Sequence, residues 1–161
     1  MTDKLLSALK KQVNAELYSS YLYFSMSTWC TVEGWIGAAN WMYVQAKEEL
    51  EHGLKLHKYL LDIGEVPSHE AIEAPQDTWN DLTALFNSVL EHEKKVTSMI
   101  NEIANIALDD RDHACYEFIL WFVKEQVEEI SNASIVCYEL KRANNDPIML
   151  TMLDKRLGNR K

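Results

Sequence analysis

Residues Glu65 to Asn80 read EVPSHEAIEAPQDTWN, and this stretch decides how the rest of the chain must assemble. It carries Pro67 and Pro75 and has no helical or strand period, so it reads as a connection. On either side lie long segments with apolar residues at helical spacing. The first runs roughly from Asp3 to Thr31, the second from Trp35 to Ile63, the third from Asp81 to Leu108, and the fourth to Ala143. A helix of about 28 residues is about 40 Å long. The connection, at up to ~3.4 Å per residue, can run that whole length. The other breaks are short: Gly34 between the first two helices, and the DDRD turn, Asp109 to Asp112, between the last two. Short turns join antiparallel neighbours, and one long crossover among them is a known variant of the four-helix bundle.

After Asn144, Asn145, Asp146 and Pro147, a short fifth helix is expected from Ile148 to Leu157. The expected fold is therefore all-α: an antiparallel four-helix bundle over residues 3–143 with one long crossover between helices 2 and 3, plus a short C-terminal helix over 148–157. The whole chain, 1–161, reads as a single domain.

Composition agrees. Only 5 Gly and 3 Pro interrupt 161 residues of which 47% are apolar. The net charge of −9 argues against nucleic acid as a partner and favours cations. Cys30, Cys115 and Cys137 form no CxxC pair, which fits a reducing compartment. The N-terminus MTDKLLSALKKQ is not expected to be a signal peptide, and no run is apolar enough to span a membrane. A cytoplasmic location is expected.

Tracing the core stripe of each helix at steps of three and four exposes an anomaly. The third helix gives Leu82, Phe86, Val89, Glu93, Val96, Ile100, Ile103 and Ala107, apolar except at its middle. The second gives Ala39, Met42, Ala46, Glu49, Gly53, Leu56 and Leu60. The first gives Leu9, Val13, Glu16, Ser20, Tyr23 and Ser27. The fourth gives Ile119, Phe122, Gln126, Glu129, Ala133, Val136 and Leu140. Midpoints of bundled helices share one height, so the four helices deliver carboxylates to one level of the core. Buried carboxylates repel one another and each costs several kcal/mol, so such a cluster calls for cations, protons or both.

His52, three residues after Glu49, projects from the same face. Carboxylates with one imidazole and no sulfur suit iron or manganese better than a structural zinc site. Taken singly these signals are ordinary. Asp110 and His113 share the Glu49–His52 spacing and read as surface residues, and Glu48, Glu51, Glu125 and Glu128 can equally be solvated charge. Four central interruptions at one level are harder to explain that way.

The segments NAELYSSYLYFSMS (14–27), AKEELEHGLKLHKYL (46–60), LEHEKKVTSMINEI (90–103) and FILWFVKEQVEEI (118–130) resemble, in order and spacing, the four helices of bacterial and archaeal non-haem ferritins. The resemblance implies that Glu16, Glu49 and His52 hold a first iron. It makes Glu49 the bridge to a second, completed by Glu93 with Gln126. It makes Glu129 the link to a third, weaker site shared with Glu48, Glu125 and Glu128. Tyr23 matches the family's tyrosine beside the dinuclear centre, and Trp121 matches a nearby tryptophan. Haem binding is not expected, since the haem-ligating methionine of bacterioferritins would fall near Leu50.

The activity implied is ferroxidase: Fe(II) oxidised by O2 or H2O2, with ferric mineral stored inside a homo-oligomeric shell of twenty-four subunits. The fifth helix would pack around fourfold axes. The start of the fourth helix, where Asp110, Asp112, His113 and Glu117 lie, would pack around threefold channels, though no channel residue is assigned. Two other readings stay open: a di-iron carboxylate oxidase or peroxidase without storage, and a structural helical bundle.

Overall fold

The computed structural model describes residues 1–161 and contains α1 (Asp3–Val32), α2 (Ile36–Asp62), α3 (Leu82–Asp109), α4 (His113–Ala143) and α5 (Pro147–Leu157). No strand is present, and no helix is long and apolar enough to cross a membrane. Helix starts carry side-chain caps: Thr2 accepts from Leu5 N, Asp81 from Ala84 N, and Asp112 from Cys115 N. Each cap satisfies an amide that the helix leaves unpaired. Asp146 does the same for α5, whose first residue is Pro147. That placement starts the helix one residue earlier than its apolar pattern indicates, because proline suits the first turn.

The ends of α1 and α2 follow one design. Gly34 and Gly64 take φ of 84° and 82°. The amide after each glycine, Trp35 N or Glu65 N, returns to Cys30 O at 2.8 Å or Leu60 O at 2.9 Å. This is a Schellman closure, which requires the left-handed conformation glycine adopts freely. It also ties up Trp35, so α2 begins at Ile36.

The buried apolar residues form two separate clusters. One gathers Leu5, Leu9 and Val13 of α1 with Leu56 and Leu60 of α2, Val96 to Ala107 of α3, and Cys115 to Phe122 of α4. The other gathers Leu22 to Cys30, Ala38 to Ala46, Leu82 to Val89, and Ala133 to Leu140, with Leu153 and Leu157 of α5. The N-terminal halves of α1 and α4 thus share an end with the C-terminal halves of α2 and α3. Accordingly α2 and α3 run parallel, which no short turn can join. The crossover between them is clipped along the outside of α1. Asn14 Nδ2 donates to Ser68 O at 3.2 Å, Ser25 Oγ donates to Gln76 O at 2.7 Å, and Trp79 packs edge-on against Trp29.

Candidate metal centre

Between the two apolar clusters lies a polar level. Val13 gives way to Glu16, Ser19 and Ser20 on α1; Ala46 and Leu56 enclose Glu49 and His52 on α2; Val89 and Val96 enclose Glu93 on α3; Phe122 and Ala133 enclose Gln126 and Glu129 on α4. All these side chains are buried, and Glu16, Glu49 and Glu93 are each only 1% exposed.

Ligand atoms of Glu16, Glu49 and His52 all lie within 4.8 Å of one another, as do those of Glu49, Glu93 and Glu129. Glu49 belongs to both groups. A third group joins His52 to Glu125 and Glu129. The site's polar contacts are few and directed. Gln12 Nε2 donates to Glu16 Oε1 at 2.7 Å. Gln45 Nε2 bridges Glu49 Oε1 at 3.0 Å and Glu129 Oε2 at 2.8 Å. Gln126 Nε2 donates to Glu93 Oε2 at 3.2 Å and Thr97 Oγ1 at 3.1 Å, and the Tyr23 hydroxyl donates to Glu93. His52 Nδ1 faces Glu49 Oε2 at 3.3 Å.

Glu16 Oε2 is buried with no partner at all. A carboxylate oxygen in that position costs several kcal/mol unless a cation or proton reaches it. The proton affinities tell the same story. Burial, and then the charge of Glu49, pushes Glu16 well above the usual carboxylate range. Burial and then Glu93 and Glu129 do so for Glu49, and burial raises Glu93. Glu129 rises to about 7 through burial and the neighbouring Glu93. Without a cation the cluster holds protons that a divalent metal would displace. Hard oxygen donors with one imidazole, on rigid helices, fit a pair of ferrous or similar ions.

The outlying acids divide. Glu125 is half-buried and reaches the third group, whereas Glu128 is exposed and joins none of the three groups. Glu48, half-buried beside Glu49, joins none of the three groups either, and its carboxylate is engaged by Arg160 of the C-terminal tail. Tyr23 is fully buried, and burial followed by the Glu93 charge raises its pKa, keeping it a neutral donor. Trp121 is 38% exposed, stands edge-on to His52 at 5.5 Å, and carries Lys55 Nζ 3.5 Å above its ring. Asp110 and His113 are exposed at the α3–α4 turn.

Four contributors escaped the stripe reading. Gln12 and Gln45 each lie four residues before a buried glutamate, a spacing that brings side chains together and that could have flagged them. His92 accepts or donates at Ser19 Oγ (2.8 Å), stands edge-on to Tyr23, and is lowered to about 4 by burial and then Lys95, so it is neutral. Arg160 had no signal.

A family model described as a ferritin-like domain matches residues 6–143. The chain belongs to the ferritin family. Among curated ferritin relatives, a probable bacterial non-heme ferritin-like protein of Haemophilus influenzae is 36% identical over 99% of this chain and 96% of its own length. A bacterial non-heme ferritin of Bacteroides fragilis is 34% identical over 99% of each chain. The crystal structure of an open-pore ferritin from the archaeon Archaeoglobus fulgidus superposes with a TM-score of 0.98 at 38% identity, covering 100% of this chain and 99% of that one. The ferritin fold and its long crossover are therefore common to this chain and its relatives.

Proposed function

We propose that the chain is the subunit of an iron-storing ferritin, with a ferroxidase site at the polar level of its bundle. The observation that carries this reading is the central cluster: Glu16, Glu49, Glu93 and Glu129 buried together with His52, and Glu16 Oε2 left unpartnered. Ferrous ions are the substrate. Glu16, Glu49 and His52 take the first, and Glu49, Glu93 and Gln126 the second, with Glu49 between them. Two electrons, one from each ion, pass to O2 or H2O2. Carboxylates favour the ferric product because hard anionic oxygens gain most from its higher charge. In this reading Tyr23 and Trp121 supply an electron, and Glu129 with Glu48, Glu125 and Glu128 forms the third, weaker site through which iron moves on.

Gln126 is neutral where a histidine or glutamate would bind more firmly, which favours release of ferric iron into a mineral. One bundle encloses nothing, so storage requires a shell, for which we take the family's twenty-four copies, in the cytoplasm. The whole chain then acts as one domain.

The test adds ferrous ions aerobically, well beyond a few per chain, and sizes the product. Mineral held within one large uniform assembly is the expected result. Oxidation that stops after a few ions in a small oligomer would favour an oxidase without storage. No metal bound at the centre would leave only a structural bundle.

A further inference from the structure

Arg160 lies beyond the last helix, yet its side chain is only 18% exposed. Its guanidinium pairs with Glu48 through Nη2 and lies 4.4 Å from the ring centroid of Trp41, while Nη1 is buried without a partner. Arginine stays charged at any working pH and stacks well on aromatic faces, so this is a fixed positive charge on a shelf.

The placement is not accidental draping. Asp154 of α5 accepts from Gly37 N at 3.1 Å and Ala38 N at 2.8 Å, at the N-terminus of α2 where backbone amides are free. A Cβ on Gly37 would fall 1.6 Å from Asp154 O, so only glycine admits α5 this closely. Asn40 Nδ2 then holds the Arg160 carbonyl at 2.9 Å. These contacts deliver the tail to Trp41 and Glu48, one residue from Glu49. Beside the guanidinium, an open pocket of about 280 Å³ is lined by Trp41, Asn132, Ile135, Val136, Arg156 and Leu157.

From this geometry we infer that Arg160 is a tethered counter-cation for the third iron position: it holds Glu48 while that position is empty and must be displaced when a metal takes it. The inference rests on the metal-binding reading above. No covalent or redox step is involved; one cation exchanges for another. Arg160 is thus a positioning residue that sets the order of filling. The first two ions bind without disturbing it, and the third binds against the energy of the Glu48 pair and the Trp41 stack.

The experiment titrates Zn²⁺, which is redox-inert, into the metal-free assembly of the full chain and of Arg160→Gln and Arg160→Lys, counting ions per chain by equilibrium dialysis. Removing a partly buried ion pair and a cation–π contact together is expected to tighten the third equivalent about tenfold in Arg160→Gln. The first two equivalents stay unchanged, and Arg160→Lys falls between, keeping the charge but not the planar stack. In the unaltered chain, hydrogen exchange at the amides of residues 158–161 should quicken only as the third equivalent binds. A third affinity within twofold of the unaltered chain, or a tail that stays protected with three ions bound, overturns the inference. Failure of the first two equivalents in the unaltered chain would instead remove the dinuclear reading, and the exchange-cation role with it.

Discussion

Gln12 donates to Glu16 from one turn away, at 2.7 Å, and the carboxylate oxygen it does not touch is buried without any partner. The pair fixes one half of a carboxylate and leaves the other half free for a cation, which is how a site is held ready. Gln12→Leu should therefore weaken the metal-free chain by about 1–3 kcal/mol. Saturating Zn²⁺ should recover most of the loss, as read by thermal denaturation with and without metal. Equal losses in both states would show that Gln12 merely packs.

Glu49 belongs to two of the three ligand groups. Glu49→Gln keeps the shape and stands in for the protonated acid that burial favours without metal, so the metal-free fold should be about as stable as before. Rapid ferrous oxidation, followed by stopped-flow absorbance, should fall at least about 100-fold through lost metal affinity. Retained rapid oxidation would remove Glu49 from the site.

Protons and metal compete. Glu129 is raised from 4.5 to about 7, so its proton stabilises the folded metal-free chain fully below about 4.5, and that stabilisation is lost as pH rises to about 7. Glu16, Glu49 and Glu93 shift in the same direction. The Tm of the metal-free protein should decline between pH 5 and pH 7.5, while Zn²⁺ affinity climbs over that window with proton release. A flat Zn²⁺ affinity would contradict the buried-cluster electrostatics.

Tyr23 reaches Glu93 across the bundle from α1. Tyr23→Phe deletes that donor with little change of volume. The second metal equivalent should weaken about tenfold, the usual effect of losing a group that orients a ligand. The first equivalent should hold, and isothermal titration separates the two.

Gly37→Ala places a methyl group where Asp154 O now sits. Hydrogen exchange should show α5 losing protection while α1 to α4 keep theirs. Unchanged protection of residues 147–157 would mean that the α2–α5 contact is less tight than the structure has it.

Much of this was legible in the order of residues. Glu93 among Val89, Val96 and Ile100 is conspicuous because helical spacing alone assigns each of them to one face. The same logic found Glu16, Glu49, Gln126 and Glu129, and the irregular stretch after Gly64 revealed the crossover. That α2 and α3 run parallel follows once the crossover is accepted. Near neighbours were less legible. Glu125 turns toward His52 and Glu129, whereas Glu128 faces solvent, and rotation about the helix axis decides between them only after α4 has packed.

By itself, then, the sequence determined the bundle, the crossover and the height of the polar level. Periodicity is a local property, and burying a periodic apolar stripe leaves an acid within it nowhere else to go. Tertiary structure alone decided that Glu48 meets Arg160, residues far apart in the chain and joined by no pattern. Their meeting depends on α5 docking against Gly37, a contact between backbones that no side-chain spacing encodes.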